Sequence, residues 1–136
     1  DPFVVSRHRQ ELLNLIEKHA DIVFANTEEA KMLYNEDARY ACKKIAQTGA
    51  IAVIKCGGEG ALIAKNEELI KVPAKTVNVI DTTAAGDVFA GGFLFSYTQG
   101  KSLEQCGQAA TMLAGDVITR VGTTVSNEVL SAAAVM

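Results

Sequence analysis

Asp87 closes the run Asp81-Thr82-Thr83-Ala84-Ala85-Gly86-Asp87, which continues as Val88-Phe89-Ala90-Gly91-Gly92-Phe93-Leu94. A strand is expected to give way to a helix within this run, among residues small enough for a phosphate to approach the backbone. The amides at such a helix start point outward unpaired, and the helix dipole favours negative charge there. A carboxylate beside an anion site is electrostatically awkward unless it acts as a base. The chemistry this suggests is phosphoryl transfer to a hydroxyl. Asp87 would take the hydroxyl proton, while the amides of Ala84, Ala85 and Gly86 form an anion hole for the transferring group. A structural alternative stands beside each role: a carboxylate complementing the dipole, and tight packing of a helix start on a strand. Gly91 and Gly92, one turn deeper, read as allowing close helix packing rather than touching a ligand.

The segment resembles the C-terminal signature of the ribokinase-like, or PfkB, carbohydrate and nucleoside kinases. It has Asp-Thr-x, two small residues, Gly-Asp, three further residues, then Gly-Gly and two apolar residues. Many members carry Gly where this chain has Ala84, a mild departure that keeps the amide donor. The resemblance implies an ATP-dependent kinase acting on a hydroxymethyl group of a nucleoside or sugar, with Asp87 as base. The context Gly91-Gly92-Phe93-Leu94, together with Asp1-Pro2-Phe3, is most similar to adenosine-kinase-like members. A nucleotide-binding module without phosphotransfer of its own is the alternative.

Further positions follow from the same resemblance. Asn26-Thr27-Glu28-Glu29 resembles the family's Asn-x-x-Glu element, in which the Glu organises Mg²⁺ and phosphate through water, and Asn26 contributes to the same site. Mg²⁺ keeps much of its hydration, so an outer-shell carboxylate is chemically sensible. Asn at an N-cap with Glu three residues on is also a capping box, and the two roles can coexist. The loop Lys55-Cys56-Gly57-Gly58-Glu59-Gly60 is similar to the family's nucleotide loop, which assigns Lys55, Gly57, Gly58 and Gly60 to the nucleotide; a plain Gly-rich turn is the alternative. Thr111 falls at the implied adenine pocket, with core packing as its other reading. Asp81, Thr83, Val117, Arg120, Gly122 and Ser126 fall where relatives hold a monovalent cation such as K⁺. A helix end at Arg120-Val121-Gly122 explains part of that segment equally well.

Two decoys fail on spacing. The glycines after Lys55 do not follow Gly-x-Gly-x-x-Gly, and a strand is expected after them. Gly100-Lys101-Ser102 lacks the upstream Gly of a P-loop, because position 95 is Phe.

Composition bounds the partners. The chain has 136 residues, of which 49 % are hydrophobic and 21 % charged, in keeping with a globular domain. A net charge of −3 without a basic stripe argues against nucleic acid. Cys42, Cys56 and Cys106 lack metal-ligand spacing and read as reduced cytoplasmic thiols. No run approaches the roughly 18 apolar residues of a membrane span. Asp1-Pro2 is not a translation start, and family members are more than twice this length. Residues 1–136 are therefore expected to be the C-terminal, nucleotide-binding part of a kinase domain whose N-terminal half and lid are absent. The expected partners are a small-molecule substrate, that missing half and, as a further option, a second copy in a homodimer.

The elements that must position these residues are expected as follows. Phe3 to Val5 reads as a strand end, and Ser6 as the cap of a helix reaching about His19. Residues 21–25 and 51–55 read as buried strands, with helices about 27–34 and 36–47 between them. Residues 61–65 and 69–72 form a hairpin about Asn66-Glu67-Glu68. Val77 to Ile80 leads into helices 85–98 and 103–120, the latter opened by a Ser102/Gln105 capping box, and a short helix begins near Ser126. The alternation predicts an α/β layered fold: a mainly parallel sheet flanked by helices, with a short antiparallel hairpin.

Overall fold

A computed structural model describes residues 2–74, 79–80, 84–119 and 127–134. The chain divides into two compact units, residues 1–57 with 61–71, and residues 58–60 with 72–136.

The first unit opens with helices α1 (Pro2–Arg7) and α2 (Arg9–Lys18). The strand end expected at Phe3 to Val5 is therefore helical, and Ser6 lies inside α1 instead of capping α2. Pro2 fixes φ at a helical value in the first turn, and Val5 is buried in the helical cluster; both outweigh the β-preference of paired valines. The hydrogen bonds His8 N–H to Val4 O (3.0 Å) and Leu12 N–H to His8 O (3.0 Å) carry the chain through the break between the two helices.

Strand β1 (Ile22–Asn26) leads into α3 (Thr27–Tyr34), which Asn35 ends in the left-handed conformation at φ 54°. Helix α4 (Ala38–Gln47) starts two residues later than the sequence implied, because the Asp37 side chain caps it by accepting from Tyr40 N–H at 2.9 Å. Strand β2 (Ile51–Lys55) then pairs parallel with β1. A 3₁₀ turn, Gly57–Glu59, precedes β3 (Ala61–Lys65) and β4 (Glu68–Val72), with Asn66 at φ 55° in the hairpin turn.

The sheet runs β1-β2-β3-β4. It is mixed, since β3 joins β2 antiparallel: the five residues between them are too few for a crossover. Ala52 and Ile54 of β2, in register with Ala64 and Leu62 of β3, present one apolar face to the cluster built from Ala30, Leu33, Ala41, Cys42 and Ile45. Val53 and Ile63 alternate to the other face and are equally buried. Such two-sided burial is why β2 reads as an unbroken apolar run.

The second unit contains α5 (Ala85–Thr98), α6 (Leu103–Val117) and α7 (Asn127–Ala134). Ser102 caps α6 in a reciprocal box: Gln105 N–H donates to Ser102 Oγ at 3.2 Å, and Ser102 N–H donates to Gln105 Oε1 at 3.0 Å. Helix α6 ends at Val117, three residues short of the expected Arg120, with Ile118 as its C-cap. Its Cys106, Ala110, Leu113 and Val117 are buried as the apolar stripe required. The expected lead-in at Val77 and Asn78 lies outside the described residues.

Candidate functional site

The first unit brings Asn26, Glu29 and Lys55 to one place. Asn26 and Lys55 end the parallel pair β1/β2 as register partners, and the carboxyl ends of parallel strands are where α/β sheets commonly bind ligands. The capping box is realised: Glu29 N–H donates to Asn26 Oδ1 at 2.8 Å, and Asn26 N–H donates to Glu29 Oε1 at 2.9 Å. The box fixes the Glu29 rotamer at the helix start. Burial pushes the Glu29 carboxyl up, but the hydrogen bonding and charge of the chain's amino terminus, then the Asn26 amide and last the Lys55 ammonium, outweigh it and hold the group below its ordinary value. A carboxylate kept ionised beside a lysine suits a hydrated divalent cation and a phosphate. The Asn26–Lys55 pairing was not legible in the sequence, because register is a long-range property.

The glycines that follow differ in what they need. Gly57, at φ 58°, and Gly58 are exposed, and an added Cβ would meet nothing within 4 Å at either. Their backbone is open to a ligand. Gly60 is buried at φ 95°, and a Cβ there would collide with Val72 O and lie 2.8 Å from Ala74 N. Close backbone approach within the second unit therefore demands glycine at position 60.

Asp87 stands in the first turn of α5. Ala84 occupies the N-cap with no side-chain oxygen to cap the helix, and Val88 N–H to Ala84 O (3.0 Å) closes the first turn. The amides of Ala85, Gly86 and Asp87 at the positions before Val88 are the donors a helix start leaves open, and the dipole adds positive potential. Asp87 is exposed at this mouth. The helix behind it is anchored, with Phe89 and Phe93 buried. At Gly92 an added Cβ would lie 2.7 Å from Leu113 Cδ1 and 3.3 Å from Ala110 Cα, so glycine admits α6. Gly91 is open instead.

On α6, the Thr111 hydroxyl oxygen is buried and lacks a hydrogen-bond partner among the described residues. A buried hydroxyl of this kind calls for a partner beyond the described residues. Val117 is wholly buried, so any cation contact from it would come from its carbonyl. Asp81, Thr83, Arg120, Gly122 and Ser126 lie outside the described residues. Among the described residues no three His, Cys, Asp or Glu side chains gather into a metal cage, and no helix is long and apolar enough to cross a membrane. A magnesium ion here would draw most of its ligands from water and phosphate, as that ion usually does.

A profile of the group described as pfkB family carbohydrate kinase matches residues 1–130. An uncharacterized sugar kinase of Archaeoglobus fulgidus is 37 % identical over 106 residues, which is 77 % of this chain and 42 % of that protein. A probable sugar kinase from Rhizobium etli superposes at TM-score 0.91 with 43 % identity, covering 98 % of this chain and 42 % of its own. Adenosine kinase from Sinorhizobium meliloti gives 0.90 with 39 % identity and the same coverage. The ribokinase-like α/β fold expected from the sequence is the one found, as part of a domain. The chain spans about two fifths of the length of these relatives.

Proposed function

Because the chain belongs to the pfkB family of carbohydrate kinases, we propose that it is the nucleotide-side part of an ATP-dependent kinase. The acceptor is a hydroxymethyl group on a nucleoside of adenosine type or on a sugar. The observation that carries this reading is Asp87 in the first turn of a helix whose N-cap residue, Ala84, offers no side-chain cap.

In this reading the Asp87 carboxylate accepts the acceptor's hydroxyl proton as that oxygen bonds to the γ-phosphorus. The bond from γ-phosphorus to the bridging oxygen breaks, and ADP leaves with the negative charge. The amides from Ala84 to Gly86 stabilise charge on the equatorial oxygens. Lys55, Gly57 and Gly58 approach the nucleotide phosphates, and Gly60 holds the loop's backbone against the end of β4. Asn26 and Glu29 orient water around magnesium, which when bound neutralises phosphate charge. The Thr111 hydroxyl faces the base. Val117 belongs through its carbonyl to a monovalent-cation site with Asp81, Thr83, Arg120, Gly122 and Ser126.

The alternative, nucleotide binding without transfer, is favoured by one observation: the chain matches 42 % of its relatives' length. Both are tested by ATP binding and ADP release with magnesium, against adenosine, other nucleosides, ribose and fructose. The assay uses this chain, and a full-length family polypeptide that contains it. Adenosine-dependent ADP release supports the nucleoside assignment. Release with a sugar alone keeps the mechanism and changes the acceptor. ATP binding without release by the full-length polypeptide points to the binding module.

A further inference from the structure

The tripeptide Gly100-Lys101-Ser102, which fails as a P-loop, is a junction of three helices. Gly100, at φ 77°, ends α5 in the left-handed conformation. Its N–H donates to Tyr97 O at 3.0 Å, and Lys101 N–H donates to Ser96 O at 3.3 Å. Ser102 opens α6 through its capping box. The Lys101 side chain serves the third helix: Nζ donates to Ala134 O at 3.0 Å, on the last residue of α7. Carbonyls in the last turn of a helix lack partners within it, and the dipole favours a cation there. The root of this side chain is fixed too, since Lys101 O accepts from the Cys106 thiol at 3.7 Å.

Helix α7 needs such a tie. It has eight residues, and isolated helices shorter than about 12–15 residues are marginal in water. Its Ala133, next to the residue that Lys101 holds, is buried in a cluster with Ala109 and Leu113 of α6. Val129 of α7, Met112 of α6 and Val88 of α5 pack against that cluster. Val88 directly follows Asp87, and its N–H closes the first turn of α5 by donating to Ala84 O at 3.0 Å. One apolar cluster thus links the end of α7 to the turn that carries Asp87.

We propose that Lys101 is a positioning residue. By holding the end of α7 through Ala134 O, it keeps Ala133 and Val129 in the cluster on which Val88 seats the first turn of α5. The effect on phosphoryl transfer rests on the phosphotransfer reading; the effect on Val88 does not.

The test uses a full-length family polypeptide that contains this chain, as wild type, Lys101→Met and Lys101→Arg. Methionine removes the donor and the charge, whereas arginine keeps a cationic donor. Hydrogen exchange at the amides of Ala133 and Val88 should speed up by about threefold or more in Lys101→Met, the size that one lost hydrogen bond implies. The amide of Ile54, in the sheet of the other unit, should exchange as in the wild type. In the same variant kcat should fall by about threefold or more, because small misplacements of a reacting group are costly in rate, while the KM for ATP stays within about twofold. Lys101→Arg should restore both readouts. Wild-type exchange at Val88 in Lys101→Met overturns the proposal, as does an equal speeding of every amide, Ile54 included. Faster exchange at Val88 with kcat unchanged overturns the positioning of Asp87. A wild type that releases no ADP with any acceptor sinks the phosphotransfer reading, and the exchange at Val88 still decides what Lys101 holds.

Discussion

At the scale of single residues, Asp87 and Glu29 are two carboxylates at two helix starts with different duties. Asp87 is exposed at an N-terminus that has no side-chain cap, whereas one oxygen of Glu29 is committed to the Asn26 amide. Asp87→Asn keeps size and polarity and removes the base. Turnover in a full-length polypeptide should fall by about 10²-fold or more, with ATP affinity by calorimetry nearly unchanged. Glu29→Gln separates charge from capping, because a glutamine oxygen can still accept from Asn26 N–H. This variant should hold its melting temperature near wild type while the magnesium concentration for half-maximal turnover rises. Glu29→Ala should lower both. The lowered folded pKa of Glu29 means the fold favours its ionised form. That stabilisation is present above the ordinary value of 4.5 and is lost as pH falls through the lower folded value. In this chain, whose amino terminus is the largest of the lowering influences, the stability gap between wild type and Glu29→Gln should therefore be flat from neutral pH down to about 4.5 and close below it. Urea midpoints against pH give the check. The thiols offer a separate test: burial pushes Cys42 up to about 12 and also raises Cys106, whereas Cys56 is half-buried. Native alkylation near about pH 8 should label Cys56 first, and labelling of Cys42 at a similar rate would contradict its burial.

At the scale of elements, glycine positions tell packing from ligand contact. Gly92→Ala drives a methyl toward Leu113 and Ala110, and should cost about 1–3 kcal/mol in denaturant unfolding. Gly60→Ala strains both φ and the backbone of Val72 and Ala74, so a large loss of stability should accompany any loss of activity. Gly58→Ala meets open space and should stay within about 0.5 kcal/mol of wild type. If Gly58 approaches phosphate, the KM for ATP will rise in that variant alone without a stability change. The elements the sequence made legible are those fixed locally. Helices Thr27–Tyr34 and Ala85–Thr98 have the expected bounds, and both expected capping boxes are present. Phe3 to Val5 reads as extended in the sequence but is helical, because burial of Val5 decides its state, and that is tertiary information. The pairing of Asn26 with Lys55 was equally hidden, since nothing local sets the register of strands separated by two helices.

At the scale of the whole molecule, the candidate groups fall in two compact units. Asn26, Glu29, Lys55 and Gly57 belong to the first; Gly58, Gly60, Ala84 to Asp87, Thr111 and Val117 belong to the second. The signature around Asp87 was readable because every member lies within a few residues. That the buried hydroxyl of Thr111 has no partner among the described residues emerged only with the structure. Family membership joins these groups into one proposal, and the relatives' greater length is the reason to test it in a complete polypeptide. The most direct test is ADP release with magnesium-ATP and adenosine by a full-length polypeptide carrying this chain, wild type against Asp87→Asn. The expected result is acceptor-dependent release by the wild type and its near-abolition in the variant, with ATP still bound. Near-normal release by the variant would contradict the assignment of Asp87 as the base.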